Sequence, residues 1–371
     1  MIKIIRNIED LENLKNEWNV LLQASQNNNV FLTYDWIYLW VKYFVNSKKR
    51  RNRLFIVCIY DENGKIEAIA PFFIKKFFVF FNVLMFISYD FSDYLDIIID
   101  KQTNQENIVT NIFNTIKESN IANIIFLKQI SESLLEIINK NKQLKYFIKY
   151  KESGDSYYIN LPDGIDEYMK QFNSKQRYNI LSRIEKAKKN SIKYINSENI
   201  DFPLLDLFID KFFKLHQKRW NEKGHGGVFQ NSKIKSFFKE VFVSLFKNNI
   251  LALSFLKYNN EFISAAVCFD YDGKRQVYLP GFDTKYSNLY PGIVLTYYNI
   301  NEAIGKKYLE FDFLKGDEDY KKRFLGIKRK NYKLYLYKNK FFFYIFKLNL
   351  FFNNEIKAKM KEYYLSILRK K

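Results

Sequence analysis

The sequence predicts an α/β protein with mixed sheets, made of two similar halves in which a mostly antiparallel, twisted sheet is flanked by helices. Two observations support this class. Apolar residues recur at helical spacing in some segments and alternate in others. The order of the segments also recurs, since each half has two helices, a hairpin, a further strand, a helix and another strand. The residues themselves do not repeat, so the expected twofold relationship is one of structure.

The first half covers residues 1–161. Its expected helices each have one apolar face and cover residues 10–22, 105–118 and 132–141. A further helix is expected to be capped by Thr33 or Asp35 and to end at Phe44. Its expected strands are 54–60, 66–74, 78–88, 94–100, 123–128, 146–150 and 157–161. The turn Asp61-Glu62-Asn63-Gly64 lies between two alternating runs, which is a strong hairpin signal.

The second half covers residues 162–340 and begins at the break Pro162-Asp163-Gly164. Its expected helices are a basic helix at 165–190, then 205–221, 234–248 and 293–306. Its expected strands are 251–258, 262–271, 275–281 and 309–314, followed by a strand at 332–337. Turns at 259–260 and 272–273 join the first three of these strands, as expected for antiparallel neighbours.

Composition narrows the class of protein. A chain of 371 residues with 47% hydrophobic residues can form two packed domains and is not disordered. Cys58 and Cys268 lie in apolar runs, and with two histidines they exclude a disulfide framework and make a metal site improbable, so none is expected. The acidic, interrupted N-terminus does not resemble a signal peptide. We therefore expect a cytoplasmic protein.

The positive charge is concentrated at the C-terminal end. The formal net charge is +20, and residues 321–371 contain sixteen Lys or Arg but only two acids. Such clustering favours anionic partners: phosphates, anionic lipid headgroups or nucleic acid. The tail at 341–371 starts with an aromatic run and ends in a basic amphipathic helix at 355–369. It either covers the core or lies on an anionic membrane surface, and its apolar run is too short to span a bilayer.

Two neighbouring segments of the second half could carry chemistry. The loop 284–292 ends in Pro291-Gly292 immediately before a helix, and a helix N-terminus with an approachable glycine attracts anions. The strand 309–314 places Phe311 and Phe313 on one face and Asp312 on the other, and an acidic turn follows it. Each segment also has a purely structural interpretation. Pro291-Gly292 could simply end a loop before a helix, and 309–314 could be a buried strand with a charged end.

The order of these segments resembles the core of GNAT acyltransferases. Over residues 10–330 the chain resembles their double-domain, CelD-like branch, which is related to the Fem-type aminoacyl transferases. The short motifs that carry the resemblance are FLTYDW at 31–36, APF at 70–72, SDYLD at 92–96, HQKRW at 216–220, GFD at 281–283 with Tyr286 and PG at 291–292, and FDFLKGD at 311–317 with YK at 320–321. The usual phosphate loop, Arg/Gln-x-x-Gly-x-Gly/Ala, is absent, and residues 287–292 take its place.

The resemblance implies tandem GNAT-like domains with one active site, in which the second half binds acetyl-CoA or another acyl-CoA and the first half shapes the acceptor cleft. The pantetheine would pair with a strand edge, and the diphosphate would lie at the following helix N-terminus. The residues implied to contact the donor are Leu279, Gly281, Ser287, Tyr290, Pro291 and Gly292.

Transfer of an acyl group to an amine needs a base and a stabilised oxyanion. Asp312 is the first candidate for the base. The alternative is that Asp312 is only a structural partner of a nearby Lys or Arg. Asp283 is the second candidate and otherwise a turn residue. Lys321 would bind a phosphate or a substrate carboxylate, unless it is a solvated charge. His225 is either a mobile cleft residue or part of an exposed loop.

Acceptor-side candidates come from both halves, with an aromatic core or a solvated face as the alternative for each. They are Tyr34, Trp36, Asp93, Tyr94, Lys175, Arg177, Arg219 and Trp220. The basic helix at 170–193 is a solvated face, a grip on an anionic acceptor such as a nucleotide sugar or lipid phosphate, or a tRNA contact.

The resemblance therefore predicts an N-acyltransferase that moves an acyl group, expected to be acetyl, from acyl-CoA to an amine of a glycan or cell-envelope precursor. Two alternatives stay open: a Fem-like transferase that uses aminoacyl-tRNA, and a non-catalytic basic module that binds membrane or nucleic acid. The expected partners are a small-molecule or glycan acceptor and an anionic membrane surface contacted by the tail, at the inner face of the membrane. Nucleic acid is expected only as tRNA.

Overall fold

Alternating apolar residues build one mixed sheet that passes through both halves of the protein. A computed structural model describes residues 1–45, 52–77, 81–144, 146–222, 224 and 226–347. The strands of the described sheet are β1 Ile2–Ile5, β2 Asn52–Tyr60, β3 Ile66–Phe77, β4 Phe81–Phe86, β5 Ile98–Ile99, β6 Ile124–Ile130, β7 Phe147–Asn160, β8 Lys193–Asn196, β9 Leu251–Tyr258, β10 Glu261–Tyr271, β11 Lys274–Phe282, β12 Glu310–Lys315 and β13 Ile327–Tyr337.

The helices lie on both faces of this sheet. They are α1 Ile8–Glu12, α2 Lys15–Ala24, α3 Tyr34–Phe44, α4 Gln105–Glu118, α5 Glu132–Lys140, α6 Ile165–Lys170, α7 Ser174–Lys189, α8 Leu205–Glu222, α9 Ser232–Lys247, α10 Pro291–Gly305 and α11 Asp319–Arg323. None of the described helices is long and apolar enough to cross a bilayer.

The two halves repeat one strand pattern and exchange their last strands. The order is β1-β2-β3-β4-β6-β13-β7-β12-β11-β10-β9-β8, with β5 beside β3. In each half an antiparallel series ends in one parallel pair, β4 with β6 and β11 with β12. β13 from the second half then pairs with β6, and β7 from the first half pairs with β12. The expected twofold repeat is therefore present, and the exchange joins both halves into one sheet.

The exchanged strands explain one difference from the sequence prediction. The polar segment KESGDS at 151–156 was expected to separate two strands, but β7 is continuous through it because β13 pairs along its whole length. A register shift accommodates Ser153, and Gly154 adopts a φ of +112° beside it. Non-local pairing thus overrides local β-propensity here.

Other elements also differ from the sequence prediction. The basic helix at 165–190 is broken, because Asn173 and Gln176 form a capping box that starts α7 after α6 has ended. The strand expected at 94–100 contracts to β5, since the residues before it form a loop. β8 was not expected, because its four residues pair only with the edge of β9.

The core between the halves is shared. α2 and α3 of the first half and α8 and α9 of the second half bury their apolar faces against the same face of the sheet. Trp36 on α3 is fully buried and contacts Phe237 and Phe238 of α9 edge-to-face. The opposite face is covered by α4 and α5 in the first half and by α6, α7 and α10 in the second. A buried side chain of this size contributes about 1.5–3 kcal/mol, so the shared core couples the halves energetically.

Part of the C-terminal aromatic run packs on the sheet. Residues 340–347 are helical, and Phe342, Phe343 and Phe346 contact Phe81, Phe147 and Tyr335 respectively. This part of the tail covers core residues. The basic amphipathic helix expected at 355–369 lies outside the described residues.

Candidate functional site

A cleft opens where β11 and β12 diverge. These parallel strands pair only from Lys274–Gln276 to Glu310–Asp312, and beyond this point β11 keeps its pairing with β10 alone. The resulting cavity has a volume of about 630 Å³ and is lined by the second part of β11, by β12, by α8 and by α10. An unpaired strand edge beside a cavity can hydrogen-bond an extended ligand.

The N-terminus of α10 forms one end of the cleft. Pro291 is its first residue and has no N–H, and the cap residue Tyr290 lies in the left-handed region with a φ of +53°. No side chain caps this helix, so its dipole faces the cavity at Gly292. Arg183 and Lys186 of α7 lie 4.6 and 5.6 Å from the centre of the Tyr290 ring. The mouth of the cleft is therefore positively charged.

The last turns of α8 form a side wall. Trp220 Nε1 donates a hydrogen bond of 3.0 Å to His216 Nε2, and the Arg219 guanidinium lies 4.1 Å from the centre of the Phe282 ring. Gly281 lets this helix approach β11, because a Cβ at that position would lie 3.0 Å from the backbone of His216. Gly292 is different, since a Cβ there would make an ordinary 3.7 Å contact with Phe282.

A buried lysine supports the end of β12. Lys321 is 2% exposed, and its Nζ donates to the carbonyls of Leu314 and Gly316 at 3.1 and 3.2 Å. The same Nζ lies 3.0 Å from Glu318 Oε2. Lys321, Glu318 and Lys315 all line the cleft. Among the described lining residues, Glu318 is the only acid.

Asp312 lies on the opposite face of β12 from Phe311 and Phe313. Its carboxylate is 1% exposed, accepts hydrogen bonds from Tyr94 Oη at 3.1 Å and Leu314 N at 2.7 Å, and lies 3.3 Å from Arg329 Nη1. It borders a second, polar cavity of about 680 Å³ and not the cleft. Burial raises the pKa of Asp312 to about 7, although Arg329 opposes the shift. The geometry therefore separates Asp312 from the diverging edges of β11 and β12.

A loop of the first half closes against the second half. Tyr278 Oη on β11 donates to the Phe91 carbonyl at 2.6 Å, and Asp93 Oδ2 accepts from the Lys315 backbone N–H at 3.1 Å. Asp93 Oδ1 also accepts from Gln129 at 2.8 Å, where β6 has diverged from β4. Burial raises the pKa of Asp93. Residues 88–96 thus contact the place in the first half that corresponds to the cleft in the second.

The remaining sequence-predicted residues lie away from the cleft. Tyr34 and Trp36 are buried in the shared core. Lys175 is exposed, and Arg177 donates to the carbonyls of Met169, Lys170 and Phe172 at the end of α6. His225 lies outside the described residues.

Asp283 has a turn-forming contact and an ion pair. Its Oδ1 accepts from the Lys285 N–H at 3.0 Å, and Lys218 Nζ lies 2.6 Å from its Oδ2. Burial would raise the pKa of Asp283, but the hydrogen bonds from Lys218 and Lys285 outweigh burial and lower it. A carboxylate held in this way is a weak base.

Comparison with known proteins assigns the domain that contains the cleft. Residues 174–322 match the family model described as an acetyltransferase (GNAT) domain. This part of the chain is a GNAT domain. It contains β11, β12, α8 and α10, and therefore the whole lining of the cleft. No curated protein matches the sequence.

The fold similarity extends beyond the GNAT domain. The structure of FemX has a TM-score of 0.62 and 12% identity over 86% of this chain and 95% of that one. The C-terminal domain of a putative lysylphosphatidylglycerol synthetase from Agrobacterium fabrum has a TM-score of 0.55 and 10% identity, over 88% of this chain and 92% of that one. The structure of L-PGS from Bacillus licheniformis has a TM-score of 0.54 and 11% identity, over 90% of this chain and 92% of that one. These matches include both halves, so the two-half architecture is shared with them.

The GNAT cleft brings together nine of the residues predicted from the sequence. They are Leu279, Gly281, Ser287, Tyr290, Pro291, Gly292, Arg219, Trp220 and Lys321. Sequence reasoning missed Glu318, Lys315 and His216 as lining residues, although all three lie in or next to the motifs quoted for the resemblance. Within the part of the chain that is described, no group of three His, Cys, Asp or Glu side chains is arranged to hold a metal ion.

Proposed function

We propose that the protein is an N-acyltransferase that moves an acyl group, in the first instance acetyl, from acyl-CoA to an amine. The single observation that carries this proposal is the cleft between the diverging β11 and β12, which ends at the uncapped N-terminus of α10 within the GNAT domain. An elongated donor with amide groups at one end and a diphosphate at the other matches both features.

In this proposal the pantetheine amides pair with the free edge of β11 between Val277 and Gly281. The diphosphate lies at Gly292, where the α10 dipole and the charges of Arg183 and Lys186 favour an anion. The thioester then lies between β11 and β12. This arrangement uses backbone groups for most donor contacts, in keeping with the lack of a glycine-rich phosphate loop.

The reaction forms a C–N bond, breaks the thioester C–S bond and releases one proton from the attacking amine. We assign Glu318 as the proton acceptor, directly or through water, because it lines the cleft and its side chain is 58% exposed. The thiolate of CoA leaves and takes up a proton from solvent. Lys321 acts as a positioning residue in this proposal, since it holds the end of β12 and contacts Glu318.

We further propose that the acceptor is a glycan or cell-envelope precursor bearing an amine. The similarity in fold to a lysylphosphatidylglycerol synthetase and to FemX supports an acceptor of the envelope. The same similarity favours a second candidate function, transfer of an aminoacyl group from tRNA. The basic sequence at the end of the tail supports a location at the inner face of the membrane for either function.

Calorimetric titration of the full chain with acetyl-CoA, and separately with an aminoacyl-tRNA, tests the proposal. Saturable binding of acetyl-CoA is expected, and it should be lost in Gly292→Trp because the indole fills the helix N-terminus. Gly305→Trp is the matched control, since it places the same side chain in open space at the other end of α10. Binding of aminoacyl-tRNA without acetyl-CoA would overturn the first function in favour of the second.

A further inference from the structure

Three lysines form a row across the centre of the sheet. Lys333 on β13 is directly opposite Lys128 on β6 and also directly opposite Lys151 on β7. Directly opposite residues on antiparallel strands share one face, with Cβ atoms about 4.5–5.5 Å apart. Two positions further along, Tyr335 stacks on Phe126 on the same face. The row therefore crosses the exchanged strands next to the aromatic segment 340–347.

A fourth lysine connects this row to the cleft. Lys315, at the end of β12, lines the cleft, and its side chain passes over β7 at Gly154. A Cβ at position 154 would lie 3.2 Å from Lys315 Cε, so the glycine leaves room for the lysine stem. Lys128 and Lys333 are close enough to Lys315 to lower its pKa, after the larger effect of burial. We call Lys128, Lys151, Lys315 and Lys333 the lysine row.

The row has little compensating charge within the described parts of the chain. None of its four ammonium groups forms an ion pair there, whereas Lys328 and Lys330, on the same strand β13, pair with Asp155 and Glu152. Asp93 lies near Lys315, and its charge partly opposes the lowering of the Lys315 pKa, but its oxygens accept hydrogen bonds from Gln129 and from the backbone N–H of Lys315 and not from an ammonium group of the row. Burial and then the charges of Lys151 and Lys128 lower the pKa of Lys333. Like charges directly opposite each other destabilise a sheet, so the row is costly unless it binds an anion.

We propose that the lysine row binds a phosphate or diphosphate group of the acceptor, which is then a phosphorylated or diphosphate-linked amino sugar. The inference rests on the proposed function, because Lys315 joins the row to the cleft in which the acyl group would lie. Three cross-strand ammonium groups fit one compact multivalent anion better than a single carboxylate. In this arrangement the anion of the acceptor lies at the lysine row, and the diphosphate of the donor lies at the N-terminus of α10, so the two anions occupy separate sites.

Titration of the full chain with inorganic pyrophosphate, in the presence of saturating CoA, tests the row. The wild type should bind in a one-to-one, salt-sensitive manner. The double variant Lys128→Gln/Lys333→Gln should bind about tenfold more weakly, because two charge-assisted contacts are lost. The control Lys328→Gln/Lys330→Gln removes the same charge from ion-paired positions and should bind like the wild type. Lys333→Arg keeps the charge and should retain binding.

Two further measurements keep the test decisive. The melting temperature of Lys128→Gln/Lys333→Gln should stay close to that of the wild type, because relief of the repulsion offsets the lost hydrogen bond of 3.3 Å from Lys128 Nζ to the Tyr89 carbonyl. Weak binding would then not reflect unfolding. A nucleoside diphosphate should compete with pyrophosphate for the row. Unsaturable pyrophosphate binding, or equal loss in both double variants, would overturn the proposal. So would row-dependent binding of an RNA or of anionic vesicles with no pyrophosphate binding.

The outcome is separable from that of the proposed function. Acetyl-CoA is titrated into the same variants and should bind all of them equally, since its expected contacts lie on β11 and α10. Absence of acetyl-CoA binding with row-dependent pyrophosphate binding would refute the donor and support the row. Binding of acetyl-CoA together with pyrophosphate binding that does not depend on the row would support the donor and refute the row.

Discussion

The hydroxyl of Tyr94, in a loop of the first half, donates a hydrogen bond of 3.1 Å to the carboxylate of Asp312 on β12 of the second half. Arg329 on β13 approaches the same carboxylate and lies 5.6 Å from the Tyr94 ring. Together with the exchange of β7 and β13, this contact ties the strand that borders the GNAT cleft to the first half. The halves are therefore expected to unfold together, in one transition.

Removing the Tyr94 hydroxyl tests this coupling. Tyr94→Phe leaves the buried Asp312 with one hydrogen-bond donor fewer, so the free energy of unfolding should fall by about 1–3 kcal/mol. Tyr158→Phe is the control, because the Tyr158 ring contacts Arg329 and would be retained. Urea unfolding followed by tryptophan fluorescence measures both. An equal, small effect in the two variants would show that the hydroxyl contributes nothing.

The buried Asp312 should make the stability depend on pH. Its pKa is about 7 in the folded protein because of burial, against 3.8 for an ordinary aspartate. The folded state therefore holds this proton over a range in which the unfolded state has released it. Its contribution to stability is fully present below about pH 4 and is lost as pH rises to about 7.

Asp312→Asn removes this pH dependence. Relative to the wild type, the variant should gain stability between about pH 4 and 7, by up to about 4 kcal/mol, and show no further gain above pH 7. Arg329 keeps Glu310 as a partner in the variant. Unfolding curves at several pH values measure the difference. A difference that does not change with pH would mean that the folded carboxylate is already ionised near pH 4.

The close packing of α8 on β11 predicts opposite effects at two glycines. Gly281→Ala should lower the free energy of unfolding by about 1–3 kcal/mol, because the methyl group would meet the backbone of His216. Gly305→Ala should raise it by about 0.5–1 kcal/mol, because the site is open and α10 gains a better helix former. Thermal unfolding of the two variants checks both signs, and a stable Gly281→Ala would contradict the packing described.

The assignment of Glu318 predicts a selective loss of activity. Glu318→Gln should lower turnover with an amine acceptor by about 10²-fold, the lower limit for loss of a general base, and leave acetyl-CoA affinity nearly unchanged. Asp319→Asn, at the neighbouring exposed position, is the control. Steady-state kinetics and calorimetry separate the two effects. Unchanged turnover in Glu318→Gln would eliminate this residue as the base.

Local patterns predicted most elements but not their partners. The hairpins and amphipathic helices follow from residues near one another in sequence, as in the turn Asp61–Gly64 that joins β2 and β3. The exchange of β7 and β13 does not, because pairing across more than 150 residues leaves no local signal. The break between α6 and α7 was readable in principle from Asn173 and Gln176, which have capping-box spacing.

The candidate site divides in the same way. Alternation along β12 correctly placed Asp312 opposite Phe311 and Phe313, but the sequence does not reveal which face borders the cleft. That choice depends on where β11 and β12 stop pairing. Gly281 was predicted to contact the acyl donor. The structure shows a second role, because a glycine at this position lets α8 pack closely on β11. The lysine row was invisible because its members come from four strands.

A crystal structure of the protein with bound acetyl-CoA tests the central claim most directly. The proposal predicts that the pantetheine lies along β11 from Val277 to Gly281 with the diphosphate at the backbone N–H of Gly292. It also predicts the thioester carbon between β11 and β12, on the cleft side of Phe311 and Phe313. A donor bound elsewhere, or no donor bound at saturating concentration, would contradict it.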